Sequence, residues 1–204
     1  MIRSLKDWKV LVGLLLAYLL ISISFDYKQQ VFWYLYTATM LVLISITIMN
    51  EKIEDKTANT KHMLIGVISG IGLYLIVAAG NLIFGILPGN FDKIVATLYD
   101  RFSPEWFWQY LALIFIIAPG EELFWRGFIQ KRFMNNMGTF SSIFASAALY
   151  AGAFIFTDYP ILIIMAFVSG IFWGLLYVWK RSIPLLIVSH LLFDLLLLIF
   201  FPLS

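Results

Sequence analysis

Apolar residues in this chain come in long runs, and the polar stretches between them are short. Runs of about 17–25 apolar residues match the length a helix needs to cross a bilayer. Seven such runs can be marked: Trp8–Phe25, Val31–Met49, Met63–Leu87, Trp106–Trp125, Ser141–Thr157, Ile161–Trp179 and Ile183–Phe201. The fifth is short and interrupted by small residues, which leaves six or eight crossings open. The pattern therefore predicts an all-α fold, a polytopic transmembrane bundle of about seven spans forming one integral membrane domain over residues 1–204. The first run has no small-residue cleavage site after it and is read as a retained anchor, not a signal peptide.

The polar punctuation is asymmetric. With seven spans, one side receives Arg3, Lys6, Lys9, Lys52, Lys56, Lys61, Lys131, Arg132, Lys180 and Arg181, whereas the other receives Lys28, Lys93 and Arg101. Basic residues concentrate on cytoplasmic loops, so the N-terminus is expected in the cytoplasm of a cell-membrane protein. The polar stretch from Asn50 to Lys61 reads as a solvated connector, and His62 just after it as a surface residue.

One polar stretch has a helical period of its own. Phe91, Ile94, Val95, Leu98, Tyr99 and Phe102 recur every three or four residues, with Asp92, Lys93, Asp100 and Arg101 on the opposite arc. This predicts a short amphipathic helix in the membrane interface, closing the long connection between the third and fourth spans. A substrate gate is the alternative.

Composition agrees with the pattern: the 204 residues are 62% hydrophobic and 13% charged, with no cysteine and two histidines. Soluble domains are nearer half apolar and a quarter charged. Without cysteine there is no disulfide, thiolate catalysis or thiolate metal site. A net charge of +2, spread over membrane-proximal loops, gives no reason to expect nucleic acid as a partner. The expected partners are the bilayer and a membrane-anchored peptide or protein.

Within the runs, five ionisable residues stand out because such groups are costly inside a membrane and usually serve a function there. Glu121, Glu122 and Arg126 follow Pro119 and Gly120, which permit a kink and a close backbone approach. Glu122 and Arg126 are four apart on one helix face and can pair, while Glu121 points roughly 100° away. The paired acid is then structural and the unpaired one is available as a general base. His190 and Asp194 are also four apart, and a carboxylate beside an imidazole fixes its tautomer. At about 1.5 Å per residue, Glu121 lies roughly 15 Å before Lys131 and His190 roughly 13 Å after Arg181, so both motifs reach the same depth. Buried ion pairs can also merely fix helix register.

Glu121-Glu122-x-x-x-Arg126, followed by a Gly-rich helix with Gly170 and Gly174, the basic turn Lys180–Pro184 and His190-x-x-x-Asp194, resembles the CPBP family. These are the CAAX prenyl endopeptidases and bacteriocin-processing enzymes, also called the Abi family. The resemblance covers the CPBP-like core at residues 106–201. It implies intramembrane proteolysis: Glu121 activates water, Glu122 and Arg126 support it, and His190 with Asp194 stabilises the oxyanion. No cofactor is implied. There is no His-Glu-x-x-His, and one membrane-embedded histidine would leave a zinc ion short of ligands.

The chain departs from the family at the second motif, Phe-x-x-x-His. The best local register, Tyr150 to Phe154, places phenylalanine where the histidine belongs; a shifted register ends on Asp158, expected near the outer surface. Asp194 also replaces asparagine, an acceptor in place of a donor. Three functions compete. The first is an endopeptidase whose cavity opens toward the cytoplasm and whose substrates are precursor peptides, peptide pheromones or membrane regulatory proteins. The second is a catalytically impaired relative acting as an immunity factor or regulatory scaffold. The third, a small transporter or channel, is disfavoured by the lack of an internal repeat.

Overall fold

The computed structural model describes residues 7–27, 29–53, 59–86 and 91–203. Arg3, Lys6, Lys28, Lys56 and Leu87, which figure in the reading of topology and spans, lie outside them. Eight helices are found among the described residues, and no strand. They are α1 (Trp8–Phe25), α2 (Gln29–Asn50), α3 (Thr60–Ile86), α4 (Phe91–Phe102), α5 (107–134), α6 (Thr139–Gly152), α7 (Pro160–Lys180) and α8 (Ile183–Phe200). Within them, α1, α3, α7, α8 and residues Val31–Asn50 of α2 are long and apolar enough to cross a membrane.

Helix ends follow local chemistry. The Asp7 carboxylate accepts the Lys9 N–H at 3.1 Å and Asn59 accepts that of His62 at 3.0 Å, side-chain caps for α1 and α3. His62 itself is partly exposed at the start of α3. Pro160 and Pro184 stand in the first turns of α7 and α8, where a missing N–H costs nothing. Between those two helices the chain reverses at Arg181, whose left-handed φ of 48° ends α7 with its N–H on the Tyr177 carbonyl.

The fourth and fifth predicted spans are the ones whose shape differs. The fourth does not stop at Trp125; helix continues to Met134, because Phe124, Trp125, Phe128, Ile129 and Phe133 are all buried in protein. Nor does Pro119 break it. Proline withholds an N–H, and the helix absorbs the loss by widening into π-type turns at Leu113–Ile117 and Leu123–Gln130, on either side of the two glutamates. The fifth ends early. Helix α6 stops at Gly152, and residues 153–157 form successive tight turns.

Small residues let the helices approach closely. A Cβ on Gly70 of α3 would lie 2.6 Å from the Ser189 carbonyl of α8, and one on Gly66 2.9 Å from the Leu185 carbonyl. This is the small-xxx-small packing of membrane helices. On the other side of α8, Gly170 and Gly174 of α7 lie against Ala147 and Ile143 of α6. The Gly-rich helix is thus the means by which α6 and α7 pack tightly.

Candidate active site

The two adjacent glutamates of α5 do face different surroundings, and neither is solitary. Glu122 is fully buried, and its Oε1 accepts from Arg126 Nη1 at 3.1 Å and pairs with His190 Nδ1 at 2.7 Å. The i,i+4 pair expected on α5 is present. The depth match between Glu121–Glu122 and His190 is realised as a direct bond between α5 and α8. Arg126 is sandwiched: its guanidinium lies 5.0 Å from the Tyr150 ring centroid and 5.3 Å from that of Trp173.

His190 is held from three sides. Its ring stacks on Trp173 with centroids 3.9 Å apart, and Nε2 lies 3.6 Å from Asp194 Oδ2. Trp173 is itself fixed, because its indole N–H donates to Ser189 Oγ at 3.1 Å and Ser69 donates to the same oxygen at 3.0 Å. A chain of side chains from α3 through α8 to α7 thereby sets the plane on which the imidazole rests. With Nδ1 engaged by Glu122, Nε2 is the nitrogen available to a ligand.

Glu121 was expected to be unpaired, and here the structure differs. Its Oε1 accepts from the Tyr36 hydroxyl at 2.7 Å, and its Oε2 accepts from the Tyr150 hydroxyl. Both phenols are buried, one on α2 and the other on α6. Sequence reasoning missed both as partners of the acid. Tyr150 opens the displaced second-motif register, but its role there was that of the motif's phenylalanine.

Beside this cluster is a cavity of about 440 Å³ lined by Glu121, Tyr36, Tyr150, Phe154, His190 and Asp194 at its polar end. The rest of its wall is apolar and includes Phe102, Met165 and Leu197. A mostly apolar cleft with a few convergent polar groups is the usual form of a small ligand or substrate site. Phe154 occupies the place on the cavity wall beside Tyr150, with ring centroids 5.8 Å apart. Asp158 is exposed, away from the cavity.

The direction of the cavity corrects one expectation. Its wall is built from the end of α1, the start of α2, the end of α3, α4 and the start of α7. Those are the ends opposite Lys131, Arg132, Lys180 and Arg181. At the basic end Arg132 binds Asp7 and Glu51 while Lys131 lies 3.3 Å from Glu51, which draws α1, α2 and α5 together. The cavity therefore does not open on the basic side. It reaches the surface between α3 and α7, where its lining residues Ile76 and Ile164 are exposed.

Helix α4 covers the far part. Val95, Leu98, Tyr99 and Phe102 turn to the cavity, and Arg101 ties the helix down by donating to the Tyr159 hydroxyl at 2.8 Å and the Phe25 carbonyl at 3.4 Å. Among the described residues, no three His, Asp or Glu side chains converge as ligands for an ion.

Residues 103–196 match the family model described as type II CAAX prenyl endopeptidase Rce1-like. No curated protein and no solved structure matches the chain. The matched stretch runs from the end of α4 into α8 and contains Glu121, Glu122, Arg126, His190 and Asp194. Residues 103–196, a little under half of the chain, are thus similar to the Rce1-like type II CAAX prenyl endopeptidases, and the five ionisable residues of the interior all fall within that similarity.

Proposed function

We propose that this protein is an intramembrane endopeptidase that hydrolyses a peptide bond of a membrane-associated peptide or protein, with Glu121 as the base that activates water. The observation that carries this reading is the unequal treatment of the two acids. Glu122 is locked between Arg126 and His190, whereas Glu121 faces a cavity large enough for an extended segment of peptide. A carboxylate at the polar end of an apolar cleft has little competing solvent, which strengthens its interaction with a bound water.

In this reading a water beside Glu121 gives up a proton to the carboxylate as its oxygen attacks the scissile carbonyl. His190 Nε2, and Asp194 if it carries a proton, face the oxygen on which charge develops. Glu121 then returns the proton to the departing amine, so the net reaction consumes one water and yields an acid and an amine. Glu122 and Arg126 keep the imidazole in place throughout. The domain comprises residues 1–204, with its catalytic core at 106–201. By its basic loops the N-terminus lies in the cytoplasm, and the membrane we propose for it is a bacterial plasma membrane.

The test is cleavage of a fluorogenic library of membrane-anchored peptides by purified protein in liposomes, comparing wild type with Glu121→Gln, His190→Ala and Phe154→His. Turnover by wild type that disappears in Glu121→Gln supports the reading. Phe154 favours a second one, a catalytically impaired homologue that acts as an immunity factor or regulatory scaffold. Silence in wild type with turnover appearing in Phe154→His is its signature.

A further inference from the structure

We infer that Tyr150 is a catalytic hydrogen-bond donor in this site, offering its O–H to the substrate's carbonyl oxygen beside His190. The inference rests on the endopeptidase reading and deepens it. Hydrolysis at this cleft needs a base for water and donors for the oxyanion. Among the described residues that line the cavity, the only imidazole is His190, and its Nδ1 is already engaged by Glu122. Phe154 has no polar atom.

Tyr150 has the chemistry and the position. Its hydroxyl is on Glu121 Oε2, so it lies within one hydrogen bond of the base, and its side chain lines the cavity. The Arg126 guanidinium over its ring, 5.0 Å from the centroid, polarises the phenol O–H toward donation. Tyr36 differs on this point. It binds the other oxygen, Oε1, and its ring stacks with Phe32 and meets Phe25 edge-on, with no cation over it among the described residues.

Exchange of partners makes the step balance. When a water takes its place at Glu121, the Tyr150 O–H turns from Oε2 to the scissile carbonyl oxygen. Water's oxygen bonds to the carbonyl carbon, its proton goes to Glu121, and the π pair moves to the oxygen that Tyr150 and His190 face. Collapse of the adduct breaks the C–N bond, and Glu121 protonates the amine. Tyr150 keeps its own proton, so no further acid or base is required. Tyr36 holds Glu121 in place while its other donor is occupied.

The experiment uses the full chain in liposomes with the library peptide that wild type cleaves fastest, plus the phosphonamidate analogue of that peptide, whose tetrahedral oxygens stand in for the oxyanion. Tyr150→Phe is expected to lower kcat by about 10²–10³-fold, the usual loss for one oxyanion donor, with KM little changed. Affinity for the analogue should fall in parallel. Adding Phe154→His to Tyr150→Phe should recover part of kcat, because the new imidazole would stand beside the lost hydroxyl. Tyr36→Phe should cost less and leave analogue affinity unchanged. Equal losses in the two tyrosine variants with analogue affinity intact would reduce Tyr150 to a support for Glu121 and overturn the inference. So would a kcat in Tyr150→Phe close to wild type. No turnover in wild type would instead remove the endopeptidase reading itself, and this inference with it.

Discussion

Two arginines six residues apart on α5 have opposite circumstances. Arg126 is buried with Glu122 and His190, and its Nη2 and the Glu122 Oε2 have no hydrogen-bond partner among the described residues. Arg132, at the basic end, uses three nitrogens on Asp7, Glu51 and the Asn50 carbonyl, all partly exposed. The rim cluster is the better satisfied of the two. It is also the more ordinary, since ion pairs near water lose little by desolvation. Burying a charge pair without completing its hydrogen bonds is costly, and a hydrophobic replacement would often be as stable. Helix packing alone gives no reason for the interior cluster, whereas a site that must hold an imidazole beside a cavity does.

The sharpest way to break this contrast is to remove one partner. Arg126→Met leaves Glu122 buried with His190 as its remaining partner and should destabilise the protein by about 3–5 kcal/mol, read as a fall in the unfolding midpoint in detergent. Pairing it with Glu122→Gln should restore part of the loss, because the uncompensated charge is gone. Recovery of stability in that double variant without recovery of turnover would separate the structural and functional demands on the cluster. Glu121→Gln should do the reverse. It keeps the volume and one tyrosine O–H as a donor to its oxygen, while the other hydroxyl can turn to accept from the amide NH2. The base is lost, so turnover should fall about 10²–10⁴-fold while the unfolding midpoint stays near wild type.

How much of this was legible in the sequence depends on the range of each contact. Glu122 with Arg126 follows from helical spacing, and the common depth of the two motifs follows from counting residues back to the basic loops, although that count does not say that Glu122 is the acid that meets His190. Five of the apolar runs became long helices with nearly the expected bounds. What escaped is what required knowing which helices touch. Tyr36 and Tyr150 are 85 and 29 residues from Glu121, and a tyrosine in an apolar run looks like any interfacial or core aromatic. The cavity's direction escaped for the same reason: the salt bridges that draw the basic end together join residues 81 and 125 apart in sequence. Pro119 was a visible signal, but its outcome, a helix that continues through two π-type stretches, depended on neighbours that bury the helix on both sides of it.

Packing near His190 offers a smaller effect that tests whether the stage behind the imidazole matters. Gly70→Ala places a methyl 2.6 Å from the Ser189 carbonyl, the residue before His190, so α3 and α8 must separate. Overpacking of this kind costs about 1–3 kcal/mol. If the Ser69–Ser189–Trp173 chain sets the imidazole plane, turnover should fall further than stability alone explains. Gly72→Ala, on the same helix with nothing within 4 Å of its new Cβ, is the control and should change neither.

The smallest change is expected at the rim, and it completes the comparison with Arg126. Arg132→Met removes the contacts to Asp7 and Glu51, but those carboxylates are partly exposed and can be rehydrated in place. Lys131 also remains 3.3 Å from Glu51. The loss should be about 1 kcal/mol or less and should shrink as salt is raised, because exposed charges are screened over roughly 8–10 Å at ordinary ionic strength. Arg126→Met, shielded from salt by its surroundings, should show no such dependence. Equal salt sensitivity in the two variants would mean that water reaches the interior cluster through the cavity, and the contrast between a buried pair and a rim pair would then fail at its first premise.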